Sequence, residues 1–120
     1  MSSVEFRSEN LDDKSTNVIV VDGDLDAYSA PRLREMLAEL IATGSDWIVV
    51  DCGSVDYIDS SGLGALVSGL KQISDRNGGL ALARPNDSVR RVLQITGLDR
   101  LFPVYRGVDE AREAGLLQNA

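Results

Sequence analysis

Three short apolar runs, Val18-Ile19-Val20-Val21, Trp47-Ile48-Val49-Val50 and Leu80-Ala81-Leu82-Ala83, are separated by stretches in which apolar residues return at helical spacing. Continuous runs of this length suit strands covered on both faces, and the first two are rich in β-branched residues. Between the first and second runs, Leu33, Met36, Leu37, Leu40 and Ile41 follow a period near 3.6. Between the second and third, Leu63, Leu66, Val67, Leu70 and Ile73 do the same. Strands that alternate with amphipathic helices imply an α/β structure, here a single domain with a small mixed β-sheet packed with amphipathic helices.

Local signals sharpen these elements. Val4-Glu5-Phe6-Arg7 alternates like an edge strand, and the polar connector through Asp12, Asp13, Lys14 and Ser15 fits a hairpin into the run ending at Gly23. Ser29-Ala30-Pro31 offers a capping hydroxyl and a first-turn proline to the first helix, which Thr43-Gly44 stops. Asn77-Gly78-Gly79 closes the second helix. Asp87 or Ser88 is placed to cap a third, with Val89, Val92 and Leu93 facing the core before Gly97 ends it. Leu98, Leu101 and Phe102 add apolar bulk, and a short strand at Val104-Tyr105 precedes a weak helix near Asp109 to Ala114. The domain is expected over residues 4–115, with 1–3 and 116–120 as flexible termini.

With 120 residues and 43% hydrophobic content, the chain can build one core and not two. Twelve basic against nineteen acidic residues, a net charge of -7, argue against direct binding to nucleic acid or an anionic membrane. No run approaches the roughly 20 apolar residues of a membrane-spanning helix, and Met1-Ser2-Ser3-Val4-Glu5 is unlike a signal peptide. The single cysteine, Cys52, cannot form an internal disulfide, so the expected location is cytoplasmic. The absence of histidine removes Ser-His-Asp, Cys-His and His-metal sites. Neither a Gly-Lys-Ser/Thr phosphate loop nor a G-x-G-x-x-G fingerprint occurs. These absences remove most hydrolase readings and leave a classical nucleotide site without support.

One stretch is not absorbed by this framework. Tyr57-Ile58-Asp59-Ser60-Ser61-Gly62-Leu63-Gly64 places two hydroxyls and two glycines where strand periodicity gives way to helical periodicity. A hydroxyl at that position is ordinarily a helix cap, and glycines allow a tight turn and close packing. One cap needs one hydroxyl, so one of the two serines is spare. Glycines in the first turn also leave the neighbouring hydroxyl open to another protein.

At these residues the chain resembles the anti-sigma factor antagonist (anti-anti-sigma) group of STAS domains, in which a strand leads to D-S-[ST]-G-L-G at a helix start. Here the motif is Asp59-Ser60-Ser61-Gly62-Leu63-Gly64. A second element of the group, G-[DE]-L-D before the first long helix, is present as Gly23-Asp24-Leu25-Asp26, and Ile95-Thr96-Gly97-Leu98 ahead of Leu101-Phe102 matches a third loosely. The resemblance implies a protein substrate and not an enzyme, with no cofactor or metal of its own, that binds an anti-sigma factor with serine kinase activity and so releases the sigma factor. It implies phosphorylation of Ser60 as the off switch and a serine phosphatase that reverses it. It also implies a partner-binding edge comprising Asp26, Asp59, Ser60, Ser61, Gly62, Leu63 and Gly64, with Leu63 and Gly64 as its low apolar part.

Two other readings compete. Asp22 and Asp24 after a strand, Asp51 at the end of another, and Arg84-Pro85 mimic a receiver domain that phosphorylates an aspartate. Arg84 stands where that arrangement needs lysine, and it leaves the serine-glycine motif unexplained. A STAS module of a stress-signalling or transport complex is the other alternative.

Overall fold

The computed structural model describes residues 5–10 and 15–118. In chain order the elements are β1 (Glu5–Asn10), β2 (Thr16–Asp22), α1 (Ala30–Ala42), β3 (Trp47–Ser54), α2 (Ser60–Ser74), β4 (Gly79–Ala83), α3 (Asp87–Thr96), a short 3-10 turn (Leu98–Arg100), β5 (Val104–Tyr105) and α4 (Val108–Gln118). The strands form one mixed sheet in the spatial order β1-β2-β3-β4-β5. β1 lies antiparallel to β2, with Phe6 opposite Val21, and the other pairings are parallel. Val4 and the connector residues Asp12, Asp13 and Lys14 fall outside the described residues.

The apolar runs divide by alternation, as a strand's period of two requires. Ile19, Val21, Ile48, Val50, Leu80 and Leu82 join the larger core with Leu33, Leu37, Leu66, Ile73 and Leu93 from α1, α2 and α3. Val18, Trp47, Val49, Ala81 and Ala83 face the other way and meet Ala111 of α4. The continuous runs are thus covered on both faces because a fourth helix closes the second one. That helix is longer than the weak 109–114 segment read from the sequence and continues through Gln118. It is pinned by the Trp47 indole N–H, which donates to the Ala111 carbonyl at 2.8 Å. Gly115 lets the helix close on the indole, since a β-carbon there would collide with the ring.

Two expected caps are corrected. The Ser29 hydroxyl caps no helical N–H; it donates to the Asp24 carbonyl at 2.7 Å and accepts from the Asp26 N–H at 3.1 Å. For α3 the cap is Asn86, not Asp87 or Ser88. Its side-chain oxygen accepts from the Val89 N–H at 2.8 Å, while its amide donates to the Val55 carbonyl at 3.1 Å. An amide can satisfy a helix end and a neighbouring loop together, which a carboxylate or a hydroxyl in contact with water does less completely.

Candidate functional site

The carboxyl ends of parallel strands are where α/β sheets gather their loops. Here the loop after β2 and the loop after β3 are joined by backbone hydrogen bonds. Gly23 N–H donates to Ser54 O at 3.0 Å, Leu25 N–H to Tyr57 O at 2.9 Å, and Asp59 N–H to Leu25 O at 3.0 Å. Leu25 and Ile58 form a parallel bridge outside the strands. Leu25, Val55 and Ile58 are buried beneath it, so the two loops continue the sheet rather than hang from it. The Asn86 side chain ties the third loop to the same ridge.

This ridge delivers the chain into α2. Asp59 is extended (φ -114°, ψ -173°), and its Oδ1 accepts from Ser61 N–H at 2.8 Å and from Gly62 N–H at 3.2 Å. The carboxylate is therefore the cap, and neither serine is. Ser60 is exposed and Ser61 half-buried. Gly62 is required by close approach: a β-carbon there would lie 2.6 Å from the Leu25 carbonyl oxygen and 2.8 Å from Leu25 Cβ. Gly64 is half-buried, and a β-carbon on it would lie 3.2 Å from Arg34 Nη2 of α1. Leu63 departs from the expected apolar surface. It is only 8% exposed and belongs to the core, because it lies three positions before Leu66, on the face that α2 buries.

Asp26 sits on the facing loop, half-buried, and its Oδ1 accepts from Tyr28 N–H at 3.0 Å, Ser29 N–H at 3.1 Å and Ser29 Oγ–H at 3.3 Å. It organises the entry to α1 as Asp59 organises the entry to α2. The Leu25–Asp59 bond sets these two entries side by side. Two residues of the rim were not singled out from the sequence. Tyr28 and Tyr57 are 85% and 55% exposed. The available signal was an aromatic residue set among aspartates and small residues in a loop, where no core requires it.

Asp51 does not fit the receiver arrangement. It is buried inside β3, three residues before its end, and both of its oxygens are engaged by Arg84, Oδ1 at 2.9 Å from Nε and Oδ2 at 2.8 Å from Nη2. Oδ1 also accepts from the Gly53 N–H at 3.0 Å. The hydrogen bonds and the charge of Asp51 raise the Arg84 pKa. The spatial order is also not the 2-1-3-4-5 of receiver domains. Next to Asp51, burial and then the Asp51 charge push the Cys52 thiol up to about 12, which makes it a packing residue and not a nucleophile. Among the described residues no cluster of metal-ligating side chains occurs, and no helix is long and apolar enough to cross a membrane.

Comparison with known proteins agrees with this geometry. The STAS domain family's model matches residues 10–111. The anti-sigma-B factor antagonist of Staphylococcus aureus is 35% identical over 91 residues, 76% of this chain and 84% of that protein. The structure of an anti-sigma factor antagonist from Mycobacterium paratuberculosis superposes with a TM-score of 0.85 at 27% identity, covering 94% of both chains. The anti-sigma factor antagonist SpoIIAA in its unphosphorylated form superposes with a TM-score of 0.81 at 25% identity, over 92% of this chain and 95% of that one.

Proposed function

This chain belongs to the STAS domain family, and from that membership we propose that it acts as an anti-sigma factor antagonist whose binding surface is the rim around Ser60. The unphosphorylated form binds an anti-sigma factor that is also a serine kinase, and the sigma factor is released. The kinase then transfers the γ-phosphoryl group of ATP to the Ser60 hydroxyl, which loses its proton, and ADP leaves. A serine phosphatase hydrolyses the phosphoester and restores the binding form. The chain itself contributes an acceptor and a surface, not a catalyst.

The observation that carries this reading is the division of labour at the start of α2. Asp59 satisfies the helix end, so the exposed Ser60 hydroxyl is left to another molecule. A phosphate adds about -1.5 to -2 charges, and the helix dipole at an N-terminus favours an anion by up to ~2 kcal/mol. The fold therefore tolerates the modification. Its cost falls on the complex, where the new charge meets Asp26, Asp59 and the nucleotide phosphates. A loss of ~3 kcal/mol there weakens binding roughly a hundredfold.

The test is incubation with the kinase and ATP, followed by peptide mapping. One acid-stable phosphate on Ser60 is expected, and none on Ser60→Ala. Phosphate on Ser61 with Ser60 untouched would overturn the assignment.

A further inference from the structure

The rim around Ser60 has a chemical character that the acceptor motif alone does not require. Asp22, Asp24 and Asp26 lie on the β2 side, and Asp56 and Asp59 on the β3 side. Asp22 and Asp56 are exposed and the other three are half-buried. No lysine or arginine occurs from Thr16 to Pro31 or from Gly44 to Leu70, so both loops and most of α2 are without a positive charge of their own. Of the nearby arginines, Arg84 is committed to Asp51, and Arg34 reaches the rim from α1 only beside Gly64. Within this acidic field stand Tyr28 and Tyr57, with 85% and 55% of their surface open. Their backbones belong to the two loops that the Leu25–Tyr57 hydrogen bond joins. Rings on a rigid support lose little freedom on docking, which is why exposed aromatic residues at a binding surface serve as anchors.

We infer that Tyr28 and Tyr57 are the anchor residues of this rim, and that they and the surrounding aspartates receive a basic surface of the anti-sigma kinase. This rests on the functional reading above. Charge selects the occupant. Nucleic acid and anionic membrane would be repelled by the same carboxylates. A second copy of this chain would bring the same five aspartates against themselves. A kinase that delivers ATP to Ser60 must hold the nucleotide phosphates with cationic groups, and lysines or arginines at the border of that site meet the rim aspartates. Arginine side chains can also lie across the tyrosine rings. The acidic residues raise the rate of encounter and the tyrosines hold the complex once formed.

The experiment titrates the serine-kinase-type anti-sigma factors of the source organism, each purified, into this protein and its variants by calorimetry with nucleotide present. Tyr28→Ala and Tyr57→Ala are expected to raise Kd by about tenfold or more, and Tyr28→Phe and Tyr57→Phe by less than about threefold. Leu117→Ala, an exposed position on α4 and remote in sequence from both loops, serves as the control and should leave Kd unchanged. Raising the salt concentration should weaken the wild-type complex, mainly through slower association. If a kinase phosphorylates Ser60 yet both alanine variants bind it as the wild type does, the anchors are refuted and the functional reading stands. If no kinase of the set binds or phosphorylates the wild type, both fall together.

Discussion

At the residue scale, Asp59 carries a structural duty that frees its neighbour. The sequence shows an aspartate and two serines in succession, any of which can cap a helix, and residue preference does not separate them. What decides is backbone conformation: Asp59 is extended while Ser60 is already helical. Boundaries one residue apart are where sequence reading is weakest. Replacing Asp59 with Ala should therefore cost about 1 kcal/mol of stability, read as a lower denaturant midpoint with an unchanged slope. Ser60→Ala should stay within about 0.5 kcal/mol of the wild type. Asp26 separates charge from shape in the same way. Asp26→Asn keeps an acceptor for the Tyr28 and Ser29 N–H groups, so its melting temperature should hold. Loss of the carboxylate should weaken kinase binding by about 1 to 3 kcal/mol. Asp26→Ala should lower stability as well, by about 1 kcal/mol. An unchanged affinity in Asp26→Asn would remove that residue from the binding surface. Leu63 shows the opposite limit of a motif: its helical period with Leu66 and Leu70 marked a buried face, while its place in the motif suggested an exposed one, and the period prevailed.

At the scale of elements, the strands and the first three helices were legible because each carries a long periodic signal. The caps and the second layer were not. The face formed by Val18, Val49, Ala81 and Ala83 is shallow, and α4 meets it with Ala111 and Gly115 rather than with a stripe of leucines, so its sequence signal was weak. Its docking centres on one large buried side chain, with Tyr105 and Val108 packed beside it. Trp47 is buried between the sheet and α4 and is the only tryptophan in the chain, so its fluorescence reports that contact alone. Gly115→Ala would set a methyl group against the ring. The expected result is a loss of about 1 to 3 kcal/mol and a red shift of the emission as α4 lifts and water reaches the indole. Because the helix lies on the side of the sheet opposite α1 and α2, affinity for the kinase should change much less than stability. An equal loss of both would show that α4 and the rim are coupled.

At the scale of the whole molecule, the α/β class followed from the alternation of buried runs with amphipathic periods and the sheet's mixed character from the edge strand read ahead of the first run, and the folded chain satisfies both. One global response depends on a residue buried in the core. The folded state holds the Cys52 thiol protonated up to about 12, against an ordinary value of 9.0, so above pH 9 the unfolded chain releases a proton that the folded chain keeps. Stability from this source is fully present below pH 9 and is lost as pH rises toward 12. Thermal melts should fall over that window, and less steeply in Cys52→Ala; parallel curves would exclude the thiol as the cause. The spatial order of the strands has a further consequence. Since each strand lies beside the one that precedes it in the chain, a polypeptide emerging from the ribosome can add strands one at a time to a growing edge, with every crossover closing locally. The rim around Ser60 is built from β2, α1, β3 and the first turn of α2, with Asn86 before α3 tying in the third loop, so it can take shape while α4 is still being synthesised. The apolar face that α4 will cover stays open longest, because α4 follows every strand in the chain, and an uncovered apolar face is what makes a folding intermediate prone to aggregate.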